Sequence, residues 1–159
     1  MSAGQVGDIL EDYARRGVFR AFSRQQGRGG KGTYRLLWHR DQLFELAYDP
    51  GRQTLRLACA LPAVPARSSM YREFRAWLKT RQDPALPEHR CCDPDKVALR
   101  PYNRGGEVAL TMSILDGDTD YAVRKLVAVV NEIYLEFLSS GLYFDWLVET
   151  FDLDPDNPY

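Results

Sequence analysis

The chain has 159 residues, of which 45% are hydrophobic and 27% are charged, and its formal net charge is -1. This composition is typical of a soluble globular domain and excludes disordered, collagen-like and coiled-coil proteins. A chain of about 150 residues buries roughly 70% of its unfolded surface, which is enough for one core. We therefore predict a single domain over residues 1–159, with an ordered core from about 5 to 151 and a frayed tail at 152–159.

The first forty residues predict a helix, a weak strand and a glycine-rich connection. Apolar residues recur at helical spacing between Val6 and Arg16, and Gly17 is suited to end that helix. The loose alternation from Val18 to Ser23 is compatible with a first strand. Four glycines between Gln25 and Gly32 then indicate a flexible connection.

The next thirty residues carry the clearest pattern in the chain. Apolar and polar residues alternate in three consecutive runs between Tyr34 and Leu61, which is the signature of half-buried strands. A tight turn at Asp41 and Gln42 separates the first two runs. The second turn holds Pro50, which fixes one φ, and Gly51, which can supply a positive one. We predict three strands in an antiparallel meander.

The rest of the chain predicts a helix, a hairpin and a longer helix. A serine at 68 or 69 can cap a helix from Met70 to Thr80. A proline-rich loop at 83–95 precedes a hairpin from Val97 to Ile114. A broad apolar face predicts a helix from Thr119 to Leu138. A second amphipathic segment follows from Leu142 to about Phe151.

The predicted order of elements is α-(β)-β-β-β-α-β-β-α. Runs of strands broken by single helices are typical of α+β folds. We predict an antiparallel twisted sheet of about five strands with helices packed on one face. A doubly wound parallel sheet would require strands and helices to alternate throughout, and these do not.

Targeting and cysteine usage favour a cytoplasmic protein. The first residues lack the basic and apolar regions of a signal peptide, and no apolar run reaches the ~18 residues that span a bilayer. The three cysteines, Cys59, Cys91 and Cys92, are an odd set. Adjacent cysteines pair with each other only under strain, so we expect free thiols in a reducing compartment.

Two segments contain residue types that can bind phosphate or a metal ion. The stretch Gly27–Thr33 is rich in glycine, but a phosphate-binding loop needs Lys followed directly by Ser or Thr and then a helix. The cluster of His89, Cys91, Cys92 and Asp93 lacks the paired spacing of a structural zinc site. We predict no catalytic residue, cofactor or metal ion. A small enzyme that uses a Cys/His site in this loop is one alternative.

Two surfaces are candidates for binding. Apolar side chains lie opposite the predicted core stripe of the meander and indicate a partner surface, formed by Leu37, Leu43, Ala47, Ala58 and Ala60. A basic patch in the first forty residues comprises Arg20, Arg24, Arg28, Lys31 and Arg35. Because clustered cations bind phosphates, a nucleic-acid-binding protein is a second alternative.

Charge is unevenly distributed along the chain. Residues 1–67 carry 11 basic and six acidic side chains, whereas residues 106–159 carry two basic and 11 acidic ones. This asymmetry favours contact between the acidic C-terminal region and a basic surface of the same subunit or of a second one. It also weakens the nucleic-acid alternative, because nearby carboxylates repel phosphate.

The order of elements resembles the type III secretion chaperone-like fold, and within it the YbjN-like proteins. Most of the likeness lies in the strand Gly106–Leu115, the acidic turn after it and the helical segment Asp120–Asn131. The resemblance implies a small non-enzymatic protein that is chaperone-like or regulatory, and often a homodimer. It supplies no catalytic residue. The near-neutral charge and the extra segment Leu142–Tyr159 depart from the secretion chaperones.

Our sequence-based hypothesis is therefore a protein-binding module that holds a partner segment by strand addition or in an apolar groove. We expect a protein partner and a homodimer, no membrane association and, on balance, no nucleic acid.

Overall fold

A computed structural model describes residues 3–61 and 64–138. Six antiparallel strands form one open sheet, and three helices pack against it. The strands are β1 (Ala21–Gln26), β2 (Gly32–Trp38), β3 (Gln42–Asp49), β4 (Thr54–Leu61), β5 (Val97–Arg104) and β6 (Glu107–Ile114). The helices are α1 (Ala3–Arg15), α2 (Ser69–Thr80) and α3 (Thr119–Glu132). The amphipathic segment and the frayed tail predicted after residue 141 lie outside the described residues.

The spatial order of the strands is β1-β2-β3-β4-β6-β5. The meander therefore runs from one edge to the middle of the sheet, and the β5–β6 hairpin completes it with β5 at the other edge. This confirms the predicted α+β class and the antiparallel sheet. The weak first strand is real but begins at Ala21, which brings the number of strands to six.

The core forms between the helices and the apolar stripe of the sheet, as the alternation predicts. Every second residue of the central strands is buried there, namely Tyr34, Leu36 and Trp38, Phe44, Leu46 and Tyr48, Leu55 and Leu57, and Val108, Leu110, Met112 and Ile114. Helix α1 packs on β1 and β2, α2 on β5, and α3 on β4 and β6. We call this side of the sheet the helix face and the other side the second face.

The helix ends follow local rules that are readable in the sequence. Ser68 caps α2, because its hydroxyl accepts the amide N–H of Tyr71 at 3.1 Å. At the end of α1, Gly17 has a φ of 83°, and its N–H and that of Val18 bond back to the carbonyls of Ala14 and Tyr13. This pair of bonds is a Schellman motif, which needs the left-handed conformation that glycine adopts easily.

Gly7 has a packing role inside α1. A Cβ at this position would lie 2.5 Å from Cζ of Arg24. The missing side chain lets the Arg24 guanidinium lie across the helix, where it bonds to Asp8 at 2.8 Å and to the carbonyl of Gly4 at 2.9 Å. Glycine has a low helix propensity, but its small size here allows Arg24 to connect β1 to α1.

Strand β4 departs from simple alternation. Leu57 pairs with Leu110, but Leu61 pairs with Val108, so β4 holds two more residues than β6 over this stretch. The irregularity turns Ala60 into the core, where it is fully buried. In the preceding turn the positive φ belongs to Gln53, not to Gly51.

The long helix predicted from Thr119 to Leu138 changes its winding. After α3, residues Ile133–Phe137 form a π-helical turn, in which the N–H of Leu138 bonds to the carbonyl of Ile133 at 2.8 Å. This turn points Tyr134 at the sheet, and its hydroxyl donates to the carbonyl of Ala60 at 2.9 Å. π-Helical turns are rare and occur frequently at functional sites.

A buried ion pair joins α2 to α3. Arg81 follows α2, is 4% exposed, and pairs with Glu132 and, at 3.7 Å, with Glu136. Its guanidinium also lies 4.6 Å from the ring centroid of Trp77. Removing one partner of such a pair leaves a charge with poor solvation, which costs several kcal/mol.

We expect Arg81→Met to lower the free energy of unfolding by about 3 kcal/mol in urea denaturation, because the apolar stem is kept while the paired charge is lost. The control is Arg15→Ala, which removes the exposed pair with Glu11 and should change stability by less than about 0.5 kcal/mol. Equal effects of the two substitutions would show that the Arg81 pair adds nothing to stability.

Candidate functional site

The two edges of the sheet differ in how their backbone groups are satisfied. At β5 the side chain of Gln82 acts like a neighbouring strand, because its Nε2 donates to the carbonyl of Val97 at 2.7 Å and its Oε1 accepts from the N–H of Leu99 at 3.3 Å. The next outward residue is Pro101, which has no N–H. Proteins block exposed edges in this way to prevent unwanted pairing.

The β1 edge is not covered by any residue that the structure describes. Gly27 donates to the carbonyl of Lys31 across the β1–β2 hairpin at 2.8 Å. Because antiparallel pairing alternates, the backbone groups of Phe22, Arg24 and Gln26 point away from β2. No residue of 3–61 or 64–138 bonds to those outward groups. Every residue of β1 except Phe22 is exposed.

A shallow, open cavity of about 530 Å³ lies at the N-terminal end of β1. It is formed by residues just before β1, by the tip of the β2–β3 hairpin and by one residue of α3, namely Val18, Arg20, Trp38, His39, Arg40, Asp41 and Asn131. We call it the hairpin-tip cavity. These residues come from three separate segments of the chain, which the sheet and α3 bring together.

An aromatic stack holds one wall of this cavity. The His39 ring lies 4.5 Å from the Trp38 ring and 4.7 Å from the Tyr134 ring, with an interplanar angle of only 3° to the latter. Burial lowers the pKa of His39, and a side-chain hydrogen bond with Asn131 opposes part of that shift. Nε2 of His39 is buried without a hydrogen-bond partner among the described residues, and buried polar atoms in that state are uncommon.

The hairpin tip is strained. Arg40 and Asp41 both have a φ of 55°, in the left-handed region that most side chains disfavour and that glycine adopts more readily. Strained residues persist where the surrounding structure holds them in place, and they cluster at binding and active sites. Here the stacked His39 precedes them and Gln42 begins β3.

The cavity holds one cation without a carboxylate partner. Arg20 pairs with Asp41. Arg40 has no ion pair within the described part of the chain, and its guanidinium lies 5.6 Å from the ring centroid of Tyr134. The cavity therefore has a net positive charge next to the apolar walls of Val18 and Trp38.

The residues of the predicted partner surface do not all lie on one face. Leu43 is 65% exposed and sits directly opposite Leu37 on the second face, where no helix of the described chain packs. Ala47 is exposed and Ala58 half-buried. Ala60 is not on this surface, because the irregularity in β4 turns it into the core. Ala21 of β1 pairs with Leu37, so the apolar row reaches the open edge.

The predicted basic patch is not one face. Arg24 reaches α1 on the helix face, whereas Arg35 pairs with Glu45 at 3.6 Å on the second face. Lys31 pairs with Asp49 at 3.9 Å, and Arg20 with Asp41. Only Arg28, in the glycine-rich hairpin loop, has no described ion pair. These side chains do not form the contiguous cationic surface that nucleic-acid binding requires.

In the described structure, neither the glycine-rich segment nor the cysteine loop forms the phosphate-binding, Cys/His or metal site considered above. The glycines connect β1 to β2, so a strand follows where a phosphate-binding loop would have a helix. Cys91 lines an open cavity of about 800 Å³, and no described hydrogen bond links His89 to it or to Cys92. Within residues 3–61 and 64–138, no three His, Cys, Asp or Glu side chains are placed to hold a metal ion.

Sequence reasoning missed the hairpin-tip cavity and the blocking of β5. The turn had a usable signal, because an Arg-Asp pair is an unusual choice where the chain needs two positive φ values. The sequence gives no sign of the role of Gln82, since glutamine is common after a helix. Asn131 lies on an apolar helix and nothing in its neighbours marks it.

None of the protein-family models, curated proteins or solved structures compared with this chain matches it. The resemblance to YbjN-like proteins therefore stays a prediction. In the described residues, none of the helices has the length and apolar character needed to cross a membrane.

The strain at the hairpin tip can be measured by comparing Arg40→Gly with Arg40→Ala. Both remove the side chain, but only glycine adopts a positive φ without strain, so we expect the glycine variant to be more stable by about 1 kcal/mol in urea denaturation. At Arg35, in an extended strand, the order should reverse by about 0.5–1 kcal/mol. The same order at both positions would contradict a left-handed Arg40.

The thiols should differ in reactivity. Burial raises the pKa of Cys92 to about 12, and burial also raises the pKa of Cys59. With iodoacetamide at about pH 8 we expect the native protein to be alkylated first at Cys91, and Cys92 to react only after unfolding, because the thiolate is the nucleophile. Peptide mass spectrometry identifies the modified residue. Equal rates at Cys91 and Cys92 in the native state would refute the buried position of Cys92.

Proposed function

We propose that this protein is a non-enzymatic protein-binding module, chaperone-like or regulatory, that binds an extended segment of a partner protein by strand addition at β1. The observation that carries the proposal is the contrast between the two sheet edges. Gln82 and Pro101 block β5, while the outward backbone groups of Phe22, Arg24 and Gln26 have no described partner. An added strand would satisfy those groups, and main-chain bonds of this kind give affinity to strand addition.

The second face supplies a place for side chains of the added segment. Ala21, Leu37 and Leu43 form an apolar row across β1, β2 and β3. A residue of the partner placed beside Ala21 would extend that row and bury part of Leu37. Alternate side chains of a bound strand point to one face, so this row would favour an apolar residue at one position of the partner.

A cytoplasmic location is consistent with this role. The three cysteines are free thiols in the described structure, which suits a reducing compartment. A chaperone-like or regulatory module there would act on partner segments before they fold or pair elsewhere.

The proposal is tested by blocking the open edge without disturbing β2. Gln26→Pro removes one outward N–H and places a ring in the path of an added strand, while Gln26→Thr changes the side chain and keeps the donor. Peptides of about ten residues, roughly one strand with flanks, are selected from a random displayed library on the native protein. We expect their affinity by calorimetry to fall about tenfold or more in the proline variant and to hold within about twofold in the threonine variant.

Hydrogen exchange of the complex provides the second measurement. A strand added at β1 should slow exchange of the amides of Phe22, Arg24 and Gln26, which point outward, more than those of Ser23 and Gln25, which already bond to β2. A selection that yields no binding peptide, or peptides that bind Gln26→Pro as well as the native chain, would refute the proposal.

A further inference from the structure

We propose that the segment bound at β1 runs antiparallel to it and that an acidic side chain just beyond its paired stretch enters the hairpin-tip cavity and binds Arg40. This inference rests on the proposed function and deepens it, because it gives the bound segment a direction and a chemical class. It requires the partner to offer an extended stretch followed by Asp or Glu.

The direction follows from where the cavity lies. Val18 and Arg20 line it and come immediately before β1, and the tip residues His39–Asp41 come immediately after β2. The cavity is therefore at the N-terminal end of β1. A strand paired antiparallel to β1 has its C-terminal end there, and antiparallel pairing is the form used throughout this sheet and slightly the more stable form.

The charge of the occupant follows from the ion pairs. The charged side chains that line the cavity are Arg20, Arg40 and Asp41, and Asp41 is paired with Arg20. Arg40 is left with only the face of Tyr134, at 5.6 Å. A guanidinium binds a carboxylate through two parallel hydrogen bonds, a geometry that a lysine-type cation cannot offer.

The other groups of the cavity suit a carboxylate and the carbon chain that carries it. Asn131 brings an amide to the wall, next to the stacked His39 ring, with which its side chain hydrogen-bonds. Val18 and Trp38 provide apolar surface for the methylene groups of Asp or Glu. The stack and the strained turn hold these groups in place before binding, which reduces the ordering cost.

A second copy of this chain is a poor occupant of the same edge. Antiparallel pairing of β1 with β1 of another copy would bring the loop after that strand, with Arg28 and Lys31, to the hairpin-tip cavity. Lys31 is paired with Asp49 and Arg20 with Asp41, so Arg28 would face Arg40, and like charges in such a contact oppose association. The predicted homodimer would then need a different surface.

The test uses two synthetic peptides of alternating valine and threonine, about eight residues long, acetylated and amidated, one followed by glutamate and one by glutamine. Each is titrated into 15N-labelled protein and followed by NMR. We expect the glutamate peptide to bind about tenfold more tightly, as is reasonable for one charge-assisted contact. The amides of Phe22, Arg24 and Gln26 should shift with both peptides, and the Arg40 side-chain resonance with the glutamate peptide alone.

Two variants locate the contact. In Arg40→Gln the preference for glutamate should fall to within about twofold, while the glutamine peptide binds as before. The control is Arg28→Gln, which removes the cation at the opposite end of β1 and should leave the preference intact. Loss of the preference in Arg28→Gln instead would mean a parallel segment and overturn the inference.

The remaining outcomes also separate the two proposals. Equal affinity of the two peptides, with shifts at β1, would overturn the acidic contact and leave strand addition standing. A glutamine peptide with a free terminal carboxylate that binds as tightly as the amidated glutamate peptide would show recognition of a chain end instead of an acidic side chain, and would overturn the inference. No shift at β1 with either peptide would count against both proposals.

Discussion

The hydrogen bond from Tyr134 to the carbonyl of Ala60 joins the two irregular parts of this structure. The irregularity in β4 turns Ala60 into the core, and the π-helical turn after α3 brings Tyr134 to the same point. The Tyr134 ring then stacks on His39 and supports the strained tip of the β2–β3 hairpin. A buried carbonyl without a partner is costly, so these departures from regular structure depend on one another.

The two sheet edges follow from the same tertiary arrangement. Helix α2 packs on β5, so Gln82, the second residue after the helix, can reach the outward groups of Val97 and Leu99. Helix α1 packs on β1 and β2 at the helix face of the sheet, and the guanidinium of Arg24 bonds to Asp8 of α1. No described residue bonds to the outer backbone of β1, and the N-terminal end of β1 adjoins a cavity in which Arg40 has no described ion pair. The strand edge without described partners and the positively charged cavity thus lie at the same end of β1.

Local patterns were the reliable part of the prediction. The hairpin Val97–Ile114 and the helix after Ser68 appear where periodicity and capping placed them, because alternation and caps depend on near neighbours. The face assigned to Ala60 was wrong, since a register shift reverses which side chains point inward. Leu37 and Leu43 were identified as a candidate surface because the alternation places them opposite the buried stripe of the sheet. The hairpin-tip cavity was not, because Arg20, Arg40 and Asn131 become neighbours only in the folded chain.

The sequence by itself determined the class of fold, the side of the sheet that faces the helices, and where most helices and strands begin and end. Burial and hydrogen bonding impose periods of two and 3.6 residues, which are readable in the sequence. The tertiary structure decided which cations are paired. Five basic residues close in sequence looked like one patch, yet strands send successive side chains to opposite faces, and carboxylates from α1, β3 and the hairpin tip neutralise most of them. Arg40, outside that predicted patch, has no ion pair among the described residues and lines the hairpin-tip cavity.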